Sequence, residues 1–128
     1  MRELYNDVGL VQSLIPAVIA ATATGAAIDL AGYDSALVLI NTGAIAGAGD
    51  YTVKLQESAT TTSGDFTDVV AANLVGTFPA SLAADTLYKV GYHGVKQYVR
   101  TVITKNSGTS IIAGIFIAKG HPLTGPVA

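Results

Sequence analysis

The chain has 128 residues and a mass of 13.0 kDa, enough for one domain, with 14 Gly and no Cys or Trp. Seven basic and nine acidic residues give a net charge of −2 with no Lys/Arg cluster, which excludes the electrostatic footprint of a nucleic-acid binder, and the lack of Cys excludes disulfide frameworks and thiolate metal sites. Half the residues are hydrophobic and 12% are charged, against about 25% charged in an average soluble domain, so disorder is excluded and the surface is short of charge.

The first elements are an arm and an irregular strand. Residues 1–14 carry Leu4, Tyr5, Val8 and Leu10 among few charges, with Arg2–Val8 a candidate helical turn, and read as an N-terminal arm that packs on a neighbouring subunit. Glu3 and Asp7 offset Arg2, so the segment lacks the positive start of a secretory leader and reads as mature protein. The apolar stretch Leu10–Ala21, broken by Gln12, Ser13 and Pro16, falls short of the roughly 20 residues of a membrane helix. A strand is expected over Val11–Ile19, confined by Pro16 to an edge or a bulge, and a weaker one over Ala26–Leu30.

Further along, Ala36–Ile40 is a continuous apolar run, the pattern of a central strand covered on both faces. Gly43–Asp50 and Ala59–Gly64 read as flexible loops from their Gly/Ala and Thr/Ser content. Between them Tyr51–Gln56 alternates, placing Tyr51, Val53 and Leu55 on a buried face and Thr52, Lys54 and Gln56 outside. Phe66–Val69 and Leu74–Phe78 are short strand candidates, and Ser81–Asp85 is a second candidate helical turn. Leu87–Tyr92 and Gln97–Thr104, separated by His93–Lys96, are expected to pair as a hairpin. Ile111–Ala118 reads as a second central strand or as one face of an interface, and an uncharged tail, about 121–128, follows. Leu37, Leu39, Val53, Leu55, Val99 and Ile103 are the expected core. Six to eight short strands with little helix predict an all-β, antiparallel sandwich or small barrel in a single domain.

Residues that could do chemistry are few. His93 sits in a turn and His121 precedes Pro122, and neither has an acid or Cys at ligand or triad spacing. Asp65 and Asp68 stand three apart, so on a strand they point to opposite faces. Gly43–Gly49 matches no phosphate-loop spacing and precedes a strand, and no nucleophile elbow or glycosylation sequon is present. Tyr88, Tyr92 and Tyr98 could stack against sugars, although aromatics on neighbouring strands commonly stabilise the sheet itself. No catalytic, cofactor-binding or metal residue is expected, and no cofactor.

Five stretches together resemble small virion proteins encoded beside the major capsid gene of tailed bacteriophages, the capsid decoration or cement proteins. They are Tyr33-Asp34-Ser35-Ala36-Leu37-Val38, Val53-Lys54-Leu55-Gln56-Glu57-Ser58, Gly64-Asp65-Phe66-Thr67-Asp68-Val69, Leu87-Tyr88-Lys89-Val90-Gly91-Tyr92 with Gln97-Tyr98-Val99-Arg100, and Gly120-His121-Pro122. The resemblance implies a jelly-roll-like β-sandwich that binds and stabilises a phage head shell without catalysis. It also implies the major capsid protein and copies of the chain itself as partners, with no nucleic acid, membrane or small-molecule substrate. Such a protein is made in the bacterial cytoplasm and sits on the capsid surface. Leu4, Tyr5, Val8, Leu10, His121, Pro122 and Leu123, on the two terminal segments, are the interface residues expected from the sequence. A head–tail joining or tail-tube subunit and a carbohydrate-binding sandwich are the alternatives.

Overall fold

The computed structural model describes residues 8–122, with side chains through Gly120. Leu4, Tyr5 and Leu123, and all of the Arg2–Val8 turn except Val8, lie outside the described residues.

The described residues form ten strands: β1 (Gly9–Ile19), β2 (Ala23–Thr24), β3 (Ile28–Asp29), β4 (Tyr33–Ala46), β5 (Asp50–Ser58), β6 (Thr67–Asp68), β7 (Leu74–Val75), β8 (Leu87–Tyr92), β9 (Tyr98–Ser107) and β10 (Ser110–Pro122). The described residues contain no α-helix, only the single 3-10 turns Ser63–Asp65 and Ala71–Asn73. One antiparallel sheet runs β1-β10-β4-β8-β7, and the other runs β2-β9-β5-β6 with β3 also on β9. Pairing goes from the outside of the chain inward: β1 with β10, β2 and β3 with β9, β4 with β8, β5 with β6. That is a long antiparallel ribbon wrapped around a core, the jelly-roll arrangement of two packed sheets.

The core lies between the sheets. Val38, Ile40, Val90, Ile111, Ile115 and Ile117 of the first meet Tyr51, Val53, Leu55, Val99 and Ile103 of the second, all buried. Two side-chain hydrogen bonds tie the sheets together. Ser13 and Thr101 hydroxyls bond at 2.8 Å, and Tyr92 donates to Glu57 at 2.7 Å. Isolated from water, such bonds must be made, because an orphaned buried partner costs about 1–3 kcal/mol.

Several expectations hold. β1 is an edge strand with register shifts on either side of Leu14, next to Pro16, whose lack of an N–H suits that place. β5 buries Tyr51, Val53 and Leu55, and β4 and β10 are internal to their sheet. Four expectations are corrected. Leu87–Tyr92 and Tyr98–Ser107 are not a hairpin, since β8 pairs with β4 and β7 while β9 belongs to the opposite sheet. The linker between them crosses the end of the sandwich, anchored by the Lys96 N–H on the Tyr92 hydroxyl and the Leu30 N–H on the Gln97 carbonyl. Ser81–Asp85 is not a helical turn. Leu82 plugs the core, its N–H bonds the Tyr51 carbonyl at 2.8 Å, and Asp85 takes a positive φ of 52°.

Leu37 and Leu39 are half-buried on the outer face of β4, while Ala36, Val38 and Ile40 point inward. An unbroken apolar run carries no polar residue to set its phase, so period two alone could not decide which half is core. The Gly43–Asp50 segment is not a loose loop. Its first residues extend β4, and Gly47–Gly49 turn tightly against the β9–β10 turn, where a Cβ on Gly108 (φ +91°) would fall 2.1 Å from Gly49 Cα. Glycine is required there by close approach and by backbone sign together.

Candidate functional site

The two outer faces of the sandwich differ in kind. On the β2-β9-β5-β6 sheet, Lys54 lies 3.2 Å from Asp68, Gln56 donates to Asp68 at 2.9 Å and accepts from Arg100 Nε at 2.8 Å, and Arg100 lies 4.3 Å from the Phe66 ring centre. The Gln56 hydrogen bond, followed by that of Lys54, holds the Asp68 carboxyl below its ordinary pKa. This face is a solvated polar network of exposed pairs, each contributing little to stability.

The outer face of the β1-β10-β4-β8-β7 sheet is built from apolar cross-strand rows. One row reads Leu10, Ala118, Leu37, Gly91 and Val75, and the next reads Gln12, Phe116, Leu39 and Lys89. Further along lie Gly114, Asn41 and Leu87, then Val18 with Ile112. Lys89 is the single charge in these rows. Leu10, Val18, Val75, Leu87 and Ile112 are 44–67% exposed, so the rows meet no third layer among the described residues. A shallow notch of about 210 Å³ opens over Gly114, bordered by Gln12, Pro16, Asn41 and Phe116. Gly114 keeps it open, because a Cβ there would come 2.6 Å from the Pro16 ring. Exposed apolar rows of this kind are common at interaction surfaces.

Of the interface residues expected from the sequence, Leu10 lies on this face. Val8 is half-buried just before β1. The part of the expected arm from Gly9 to Leu14 is the first half of β1, hydrogen-bonded to β10. His121 and Pro122 close β10, with Pro122 opposite Tyr33, and their side chains are outside the described residues. The interface residues expected from the sequence do not include Phe116, Leu39, Leu87 or Val75, although Ile111–Ala118 reads there as a second central strand or one face of an interface. The signal for the first two lies in the apolar runs of β4 and β10, whose outer halves meet no third layer among the described residues.

The other candidates do not converge. Tyr88 is half-buried on the inner face, its hydroxyl accepting from the Ala83 N–H at 2.9 Å. Tyr92 is buried with its hydroxyl on Glu57, and Tyr98 belongs to the opposite sheet, so the three rings form no platform. Burial, and then the Glu57 hydrogen bond, pushes the Tyr92 phenol well above its usual pKa. Asp65 accepts from the Thr60 hydroxyl at 2.7 Å while Asp68 is held by Lys54 and Gln56. His93 is exposed beside a polar cleft of about 580 Å³ at the end of the sandwich, bordered by Tyr33, Asp34, Lys96 and Gln97. Among the described residues no group of three or more His, Asp or Glu could hold a metal, and no helix is long and apolar enough to cross a membrane.

No family model and no curated protein matches the chain. Among solved structures it shows distant similarity to β-sandwich proteins. The SPBc2 prophage-derived protein YomS is 11% identical over 86% of this chain and 94% of that one, with a TM-score of 0.48. A subunit of the Bacillus endospore appendages, disulfide-linked pili, is 13% identical over 92% and 90%, with a TM-score of 0.47. A chain of infectious bursal disease virus, Gx strain, is 12% identical over 87% of this chain and 31% of that one, with a TM-score of 0.43.

Proposed function

We propose that the chain is a non-enzymatic structural subunit of a bacteriophage particle, a decoration protein that binds the major capsid protein, associates with copies of itself and reinforces the head shell. The observation that supports this reading most directly is the apolar outer face of the β1-β10-β4-β8-β7 sheet, on which Lys89 is the single charge. A face of that composition is suited to repeated burial against protein neighbours, since charge is depleted at the centre of interfaces. A rigid two-sheet core with short turns supplies a stable block for such packing, and many weak contacts to a shell add through multivalency. The scattered placement of His93, Asp65, Asp68 and the tyrosines agrees with a role without turnover.

The test is the location and copy number of the chain in assembled particles. Distribution across the shell, with particles lacking the chain breaking at lower temperature and recovering when it is added back, is the expected result. His93→Ala should restore them as well as the wild type. Density at a single vertex or along the tail would assign a joining or tube subunit instead, and binding on a glycan array with absence from particles would overturn the virion reading.

A further inference from the structure

We infer that two copies of this chain pack face to face through the β1-β10-β4-β8-β7 sheets, about a two-fold axis that runs along the strands between β10 and β4. The inference names the occupant of the apolar face on which the proposed function rests, but it needs no particle to be present.

Area selects the occupant. Five strands about 4.8 Å apart, and the six residue steps from Ala118 to Ile112 at about 3.4 Å each, define a face of roughly 24 by 20 Å, about 480 Å². Residues 1–7, even fully extended, would cover one strand's width, about a fifth of it. A second copy related by an axis between β10 and β4 covers four of the five strands and buries about 800 Å² in total, the size of a weak, concentration-dependent interface. Facing sheets stack about 10 Å apart with their strands nearly aligned, so a sheet is the natural complement of a sheet.

Side-chain size and charge select the axis. Rotation about a line along the strands exchanges β10 with β4 and β1 with β8, and keeps each cross-strand row in place. Leu10 then faces Gly91 of the second copy, and Ala118 faces Leu37. Gly114 faces Asn41, and the exposed Leu87 lies toward the β1 bulge and the notch beside it. In each of these rows a large side chain meets a small one or a gap. Phe116 faces Leu39 near the axis, and Lys89 faces the Gln12 amide. An axis across the strands through that row would instead bring Lys89 against Lys89. Isologous contact requires reciprocity, and of these two axes the first supplies it without opposing like charges.

The test uses the full chain and two outer-face variants, L39K and F116D, neither of which alters the buried half of its strand. Light scattering after gel filtration at roughly 100 µM, a concentration suited to a minimal interface of micromolar affinity, should give twice the 13.0 kDa chain mass for wild type. Each variant alone should run as a monomer with an unchanged far-UV spectrum. Mixed in equal amounts they should recover a dimer at least tenfold more than either alone, because Leu39 of one copy faces Phe116 of the other. A monomeric wild type, a dimer that survives both substitutions, or a mixture that stays monomeric would each overturn the inference. If wild type is monomeric yet binds shells and L39K abolishes that binding, the shell is the occupant and the decoration reading stands without the dimer. A dimer that never associates with particles leaves this inference standing and removes the decoration reading.

Discussion

Replacing Ile40 and Leu39 one at a time by Ala reads the phase of β4 directly. The two are chain neighbours on one strand, yet Ile40 is fully buried between Ile115 and Tyr88, while Leu39 lies half-buried on the outer face between Phe116 and Lys89. Ile40→Ala removes apolar volume from the closed space between the sheets, and the rigid strands on both sides limit collapse into it. The expected cost is about 4 kcal/mol, the upper half of the range for buried Ile or Leu truncation. Leu39→Ala opens no cavity and should cost about 1 kcal/mol in a monomer. For a chain of 128 residues, at about 3–4 °C per kcal/mol, those values correspond to a melting point lower by about 12–16 °C for Ile40→Ala and about 4 °C for Leu39→Ala. Urea unfolding in dilute protein, where any dimer has dissociated, should give the same ranking with equal slopes. If Leu39→Ala costs as much as Ile40→Ala under those conditions, the assignment of inner and outer faces is reversed.

Further outcomes follow from two buried hydroxyls. Tyr92 is held in its neutral form by folding, with a folded-state pKa above the unfolded value near 10. Its contribution is therefore complete below about pH 10 and is lost as pH climbs toward the folded-state value, so the wild type should lose stability faster than Tyr92→Phe across that range in pH-dependent melts. At neutral pH the same variant leaves Glu57 and the Lys96 N–H without their partner and should cost about 1–2 kcal/mol; an unchanged melting point would show that this link between the sheets is not made. Tyr51 is fully buried and its hydroxyl finds no hydrogen-bond partner among the described residues, so Tyr51→Phe should be neutral or stabilising by up to about 1–2 kcal/mol, and a loss of that size in chemical denaturation would show that the hydroxyl is bonded.

Much of the fold was legible because β-structure writes itself locally. Pro16 announced an irregular edge, and Tyr51, Val53 and Leu55 announced the buried face of β5. Sheet membership was not legible. Leu87–Tyr92 and Tyr98–Ser107 look like a hairpin because a four- or five-residue break suits either a turn within one sheet or a crossing between two. The choice is made by distant groups, such as the Leu30 N–H that takes the Gln97 carbonyl. The apolar face was legible only as an ambiguity. The runs Ala36–Ile40 and Ile111–Ala118 suggested strands covered on both sides, and the described residues cover them on one side only. The outer half of each run is the candidate site, so the apparent surplus of hydrophobicity is the signal on which the proposed interface rests. The tyrosines illustrate the opposite case, being spaced along the sequence as a platform but separated by sheet and by face.

The position of β10 between β1 and β4 also fixes when the molecule can become itself. During synthesis β1, β4 and β8 leave the ribosome long before β10, and the first sheet has no contiguous path from β1 to β4 until Ser110–Pro122 emerges. The opposite sheet can assemble earlier on β9 and β5, but its inner face has only half a core to rest on. Closure is therefore a late, nearly all-or-none event that joins residues almost a whole chain apart, the kind of topology that folds slowly. Until then the apolar edges of β1 and β4 stand open, and a chain truncated before Ser110 should be aggregation-prone rather than a partial sandwich.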